Sequence, residues 1–461
     1  MAMPPRGVGG TLRPERRGAV APETTVAGHT APRTLEPIIF ADDAAPGRRT
    51  GGVGEERSRR RWAALVDDST LGARIKRLRG NTMTQRELAD AAGVSLSLVR
   101  ALEQEQRHTA SVGSLHRLAR ALDTDTGVLL GKTTTMPGNP AAGVMAIRRA
   151  LTPVDDLLDE VVHDGQPVEL GEAQRLVDYG WGLYWSGRYE KLSGLLPTAL
   201  AQLRATAHAA PADDKVRAQE LLARGYWLAA CSLVHLGQQE SAWLAIRQAL
   251  DAAKHGQDEL LDATLRGSVS WQLLVQGRYD EAAGVALRAA VAVEPSGLVS
   301  PQRLSVHGTL LLSAATASGR DGMVTAARDL LAEARSVADR NGVDRNDYES
   351  PFGVSQVVMQ TVDVAVVTED YAAAIEAARS MPHDAGLPLA ARARHLTDTA
   401  YAHAHLGHVQ QARDALLTAE AMAPAWIKYQ TLPRQVAAEL VRRDGNSTLR
   451  GLARRLGVTT A

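Results

Sequence analysis

The chain has 461 residues, with 52 Lys and Arg against 52 Asp and Glu, so overall charge says nothing about nucleic acid. That length is enough for more than one domain. A single cysteine, Cys231, excludes an internal disulfide and a thiolate metal cluster. No run approaches the roughly 18 to 20 apolar residues that span a bilayer, and the N-terminus lacks the apolar core of a secretory signal. A cytoplasmic protein with no membrane partner is expected.

Residues 1–66 are dominated by Gly, Pro, Ala, Thr and Arg without a sustained period. Such a segment buries too little apolar surface to offset its ordering entropy, so a disordered arm is expected. Arg57, Arg59, Arg60 and Arg61 end it. They read either as a solvated tail, the favoured reading, or as an arm for DNA phosphates or the minor groove.

Residues 67–133 form the next unit. Its first helix runs from about Leu71 to Arg79, with Leu71, Ile75 and Leu78 on one face. Arg74 and Arg77 fall on other faces, placed to reach phosphates. Thr84 to Glu103, TQRELADAAGVSLSLVRALE, then reads as two short helices joined by a tight turn. Leu88, Ala92, Val94, Val99 and Leu102 are its apolar positions. Gly93 sits where the first helix must stop, in a left-handed backbone that costs least at glycine. Ser95 can cap the second helix. Outward on that helix stand Leu96, Ser97, Arg100, Ala101 and Gln104. Such a row at a helix N-terminus is how a recognition helix meets the DNA major groove. A fourth helix is expected over about Ser114 to Leu122, and a fifth over about Thr126 to Leu130. From Leu71 to Gly131 nine Lys and Arg face six Asp and Glu, a modest positive surplus.

The run from Leu71 to Gly131 resembles the lambda repressor/Cro-like, or XRE-type, helix-turn-helix domain. The matching residues are Thr84-Gln85, Glu87-Leu88-Ala89, Gly93-Val94-Ser95, Val99, Leu102-Glu103 and Leu118-Ala119-Arg120-Ala121-Leu122. The resemblance implies a five-helix fold and a double-stranded DNA operator as partner. It also implies that Arg79 pairs with Glu103, and that the loop holding Arg107 and His108 meets phosphates. The DNA-binding set is then Thr84, Gln85, Ser95, Leu96, Ser97, Arg100, Ala101, Gln104 and Arg107, with Gln85 and Arg107 on phosphates and Leu96, Ser97, Arg100 and Ala101 on base edges. Many members carry glycine where this chain has Glu105. The substitution should stiffen the loop or let the recognition helix run on.

Lys132 to Pro140 is a linker by composition, and residues 134–170 hold the linker and a lead-in helix. From 171 to 446 nearly everything reads as helix, and strand-like alternation is missing. Gly187-Arg188-Tyr189, Leu236-Gly237, Gly277-Arg278-Tyr279 and Leu406-Gly407 recur between apolar-periodic helices. Five residues after those glycines lie Leu192, Ala242, Ala282 and Ala412. Twelve residues after lie Ala199, Ala249, Ala289 and Ala419, and seven before lie Gly180, Ala230, Ser270 and Ala400. Mostly small residues at these offsets let antiparallel helices pack closely. This resembles the tetratricopeptide repeat. The markers at 187, 237, 277 and 319 stand farther apart than the repeat's usual spacing, and the units around Gly319 and Glu369 look degenerate. The resemblance implies an all-α chain: a lambda-repressor-like DNA-binding domain followed by a TPR-like α-solenoid of about six helical hairpins. Residues 447–461, with LRGLARRLGV, read as a basic capping helix. The arrangement resembles XRE regulators of the actinobacterial type with C-terminal TPR-like repeats.

No catalytic constellation emerges. His395, His403, His405 and His408 crowd one hairpin with Asp398, but 403 and 405 point apart on a helix, so no compact metal site is expected. No Ser or Cys nucleophile has a base partner by pattern, and no cofactor is expected. Trp181, Tyr184, Trp185, Tyr189, Tyr226 and Trp227 gather much of the aromatic content in the first two hairpins. They read as core, with Trp181, Trp185 and Trp227 as candidates for a ligand groove. The expected function is a sequence-specific transcriptional regulator, not an enzyme. Its array would sense a small peptide, small molecule or protein partner and hold a homodimer. The alternative is a helical-repeat scaffold that binds a partner protein and uses the helix-turn-helix for docking.

Overall fold

The computed structural model describes residues 70–80, 83–108, 110–122, 124, 129, 140–154, 165–444 and 446–458. The arginine-ended arm, the linker over 131–139 and the expected helix at Thr126–Leu130, Leu129 apart, lie outside the described residues. What is described is all-α except for one two-stranded hairpin.

Four short helices open the described chain: α1 (Leu71–Arg79), α2 (Gln85–Ala92), α3 (Leu96–Glu103) and α4 (Val112–Ala121). Each begins at a hydroxyl that accepts a free N–H of its first turn: Thr70, Thr84, Ser95 and Ser111. Thr84 and Glu87 complete a reciprocal capping box. Such caps contribute about 1 kcal/mol each. Gly93 takes φ 60 and ψ 38 and ends α2. Ile75, Leu88, Val99, Leu102, Leu118 and Leu129 are fully buried and form this unit's core. Gly72 is needed for close approach, since a Cβ there would stand 1.8 Å from the Leu102 carbonyl oxygen.

The helix α3 does not run on through Glu105. It ends at Glu103, and Glu105 turns left-handed at φ 58. That region costs an L residue about 1–2 kcal/mol. The Thr70 hydroxyl donates to the Glu105 carboxylate at 2.7 Å, tying the turn to the start of α1.

A lead-in helix α5 (Pro140–Leu151) precedes the array. Six antiparallel helical hairpins follow among the described residues. They are α6 (Leu170–Trp185) with α7 (Tyr189–Ala209), α8 (Ala212–His235) with α9 (Gln239–Ala253), and α10 (Glu259–Val275) with α11 (Tyr279–Ala292). Then come α12 (Pro301–Arg320) with α13 (Val324–Asn341), α14 (Val354–Val367) with α15 (Tyr371–Arg379), and α16 (Leu389–His405) with α17 (Val409–Met422). A single-turn helix α18 (Pro424–Ile427), then α19 (Thr431–Arg443) and α20 (Ser447–Arg455), close the chain. On α20, Leu449 and Leu452 are buried while Arg450 and Arg454 face outward.

Gly187, Gly237, Gly277 and Gly407 each take positive φ at the turn inside a hairpin. The fourth marker is Gly322, at φ 83, rather than Gly319, which is buried within α12 against Val364. Counting from Gly322 places Ala315, Ala327 and Ala334 at the small positions, and all three are fully buried. The fourth repeat is therefore regular, with its turn glycine three residues beyond Gly319. In the fifth hairpin a non-glycine, Glu369, takes the left-handed turn at φ 65.

The strand pair is a departure from expectation. Arg345–Asp347 (β1) and Ser350–Phe352 (β2) pair antiparallel between α13 and α14. Three-residue strands are too short to display alternation. Their two-residue turn, Tyr348-Glu349, also lacks the Asn-Gly signal of hairpins whose central residues are both left-handed. Both residues nonetheless sit there, at φ 50 and 52.

Candidate nucleic-acid interface and aromatic cavity

On α3, Ser97, Arg100 and Gln104 are exposed, Leu96 and Ala101 are half-buried, and the capping Ser95 is exposed at its start. Arg107 and His108 are exposed in the following loop. Thr84 is committed to the cap of α2.

Arg79 and Glu103 form a bidentate ion pair at 2.7 and 3.1 Å, with side chains 14% and 2% exposed. The third Arg79 nitrogen, Nη1, donates to the Met83 carbonyl at 2.6 Å, so α1 and α3 share one clamp. Burial pushes the Glu103 carboxyl up, but bonds from Arg79 and Gln85 outweigh it and hold the group below its ordinary value. Two residues expected at phosphates also have partners within the domain. The Gln85 amide donates to Glu103 at 2.8 Å and belongs to the clamp. The Arg74 Nε donates to the Leu129 carbonyl at 2.9 Å and staples the C-terminal side of the domain.

The helix α4 meets the array, through contacts that no local pattern announces. The Ser111 hydroxyl donates to the Glu369 carboxylate, at the one hairpin turn without glycine. Gly113 passes so close that a Cβ would stand 2.9 Å from the Val367 carbonyl oxygen. His116 sets its ring edge-on to Tyr279 at 5.4 Å, and Arg120 pairs with Asp321 at 3.4 Å. Tyr279, Asp321 and Glu369 belong to the turns of the third, fourth and fifth hairpins. The array thus offers a row of turns as a seat, and α4 lies along it. Burial pushes the His116 imidazole down to about 3, aided by Arg320.

Under this seat lies an ion cluster. Arg320 grips Asp363 with two bonds of 3.0 Å, and Arg394 adds a third at 2.7 Å and reaches Asp398 at 3.5 Å. Burial alone would raise the Asp363 carboxyl, but the two guanidiniums hold it well down. Asp398 has only the distant edge of Arg394, so burial raises it.

The first helices of the first five hairpins and the β-hairpin line a half-open cavity of about 190 Å³. Trp181, Trp185 and Trp227 all line it, with Tyr184, Trp271 and Glu349. Trp181 and Trp227 are also core residues, 2% and 4% exposed, so packing and cavity share the same indoles. The strained tip of the β-hairpin reaches across to this wall. Tyr348 donates to Asp258 at 2.8 Å, and Glu349 accepts from the Trp185 indole at 3.0 Å and from Arg224 at 3.2 Å. Burial raises the Glu349 carboxyl. Cys231 also lines the cavity, and burial pushes its thiol up to about 12.

The histidines of the sixth hairpin are dispersed in role. His403 and His408 share a ring-nitrogen contact at 3.2 Å, His405 stacks on Tyr371 at 4.5 Å, and burial lowers His395 to about 4. No helix among the described residues is long and apolar enough to cross a membrane.

Comparison with known proteins bears on part of the chain. No curated protein matches it. Among solved structures, a Rap protein complexed with Competence and Sporulation Factor is similar at 13% identity and a TM-score of 0.41, over 78% of this chain and 99% of that one. A family model described as a helix-turn-helix domain matches residues 70–130. Those residues, with their capped helices and clamped recognition helix, are a helix-turn-helix domain preceding an all-helical repeat array.

Proposed function

We propose that the chain is a cytoplasmic, sequence-specific transcriptional regulator with an XRE-type reading head. In this reading the array holds two heads as a homodimer and senses a ligand or partner, and the chain has no catalytic role. The observation that carries it is the division of labour within the small domain. The helix α4 is spent on the array, while Ser97, Arg100 and Gln104 on α3 remain exposed. An exposed polar row at the start of a capped helix fits the major groove. Two heads are expected because one domain covers few base pairs, and linking two raises affinity.

Genome-wide binding-site mapping tests the reading. A palindrome with half-sites about one helical turn apart, or a multiple of that, is expected. A specific-over-nonspecific ratio near or above ~10³ separates a regulator from a scaffold that uses this domain for docking. Arg100→Ala should change which operator bases matter and cost about 1–3 kcal/mol. Arg107→Ala should weaken all sequences alike and flatten the salt dependence. A base-preference scan unchanged by Arg100→Ala would remove that residue from the reading row.

A further inference from the structure

The aromatic cavity has a chemical bias. Trp181 and Trp227 lie 4.5 Å apart by ring centroid, and Tyr184 stands 5.2 Å from Trp181 and 5.1 Å from Trp185. Ring faces attract cations, the more so where water is excluded. Among the residues lining the cavity, Glu349 carries the only formal charge. Its partner Arg224 stands outside the lining and also pairs at 3.1 Å with Asp178, 53% exposed, so Glu349 shares its one guanidinium with a second carboxylate. Three buried polar atoms there have no hydrogen-bond partner among the described residues: the Gln356 side-chain oxygen, an acceptor, and the Trp181 and Trp227 indole N–H groups, donors. The Thr309 and Ser313 hydroxyls donate to their own helix, which leaves their oxygens as acceptors as well. Backbone strain supports a built site. The tip that presents Glu349 holds two consecutive L residues in the left-handed region, and such strain collects where a ligand is gripped.

We infer that this cavity binds a small protonated organic amine, its ammonium against Glu349 and Gln356 and its apolar body between the indoles of Trp181, Trp227 and Trp271. A neutral molecule would leave Glu349 with only its share of Arg224 as counter-charge, and an anion would meet a carboxylate with no cation among the residues lining the cavity. The inference gives a chemical class to the sensing half of the proposed function.

The test uses the full chain and a matched set of probes with one body and three heads: phenethylamine, phenethyl alcohol and phenylacetate. Binding is read by tryptophan fluorescence in the absence of DNA, so its failure is separate from a failure of operator recognition. Phenethylamine should saturate at or below about 1 mM. The alcohol should bind about tenfold more weakly, in line with a cation over desolvated rings, and the acid more weakly still. Glu349→Gln should bring the amine down to the level of the alcohol and leave the alcohol unchanged, which also reports an intact fold. Gln356→Met should weaken the amine more than the alcohol. Equal affinities for the three heads, an amine affinity indifferent to Glu349→Gln, or no saturable response to the amine would each overturn the inference.

Discussion

Glu103→Ala should unfold the reading head while leaving the array standing. The substitution removes the acceptor of Arg79 and Gln85 together, and leaves a guanidinium 14% exposed without its carboxylate. Breaking a buried pair from one side costs about 3–5 kcal/mol, which is much of what a small domain has. Hydrogen exchange on the full chain should show loss of protection over α1 to α3, with α6 to α17 unchanged, and operator binding should vanish. The pH dependence has a fixed sign. The folded carboxyl of Glu103 lies below its unfolded value. Its stabilisation is present above the ordinary glutamate range and is lost as pH falls through the lowered folded value. Unchanged protection in α1 to α3 would show that the clamp is dispensable.

Asp363→Ala should destabilise the array by a similar amount. Asp363 is 2% exposed and joins α12, which supplies Arg320, to α16, which supplies Arg394. Without it Arg320, 8% exposed, is left without its carboxylate, a loss of about 3–5 kcal/mol at full burial, while Arg394, 39% exposed, keeps access to solvent. Asp398→Asn should do far less above neutral pH, because burial raises that carboxyl and makes its charge costly. The two aspartates act oppositely with pH. The Asp363 contribution is present above the ordinary aspartate range and lost as pH falls through about 2. Asp398 binds its proton more tightly when folded, so its contribution is lost as pH rises from the ordinary range through about 7. Thermal melts of the three chains at strongly acidic, mildly acidic and alkaline pH read both signs, the first step reporting Asp363 and the second Asp398. An Asp363→Ala midpoint equal to that of the parent chain would remove the cluster from the array's stability.

What could be read from sequence was local. The caps, the stop at Gly93 and the small positions of the repeats depend on residues a few places apart, and TQRE announces its capping box within four letters. The Arg79–Glu103 clamp came only through family resemblance, since spacing alone does not pair two helices. The bonds of Gln85 and Arg74 within the domain were not legible, because a polar residue carries no mark of the acceptor it will find across a fold. Gly322 was passed over for Gly319 because both lie near the same turn, and only burial of Ala315, Ala327 and Ala334 distinguishes them. The β-hairpin was hidden by its unusual turn residues. The seat of α4 was wholly illegible: Ser111, Gly113 and His116 are ordinary helix residues until the array is built.

That seat also orders events in folding. Its contacts are among the most distant in the chain, with Ser111 and Glu369 separated by 258 positions and Arg120 and Asp321 by 201. The hairpins need only near neighbours, and local contacts form fastest. Loop-closure entropy grows slowly with length, so the distance itself is a modest obstacle. The row of turns, however, exists only after the third, fourth and fifth hairpins have stacked. The reading head must therefore fold early as a separate body and attach late. In pulse-labelled refolding, contacts of α4 with Tyr279 and Glu369 should gain protection after the hairpins that carry them, and protection appearing at the same moment would contradict this order. A chain caught midway would carry a finished DNA reader tethered to an unfinished mount.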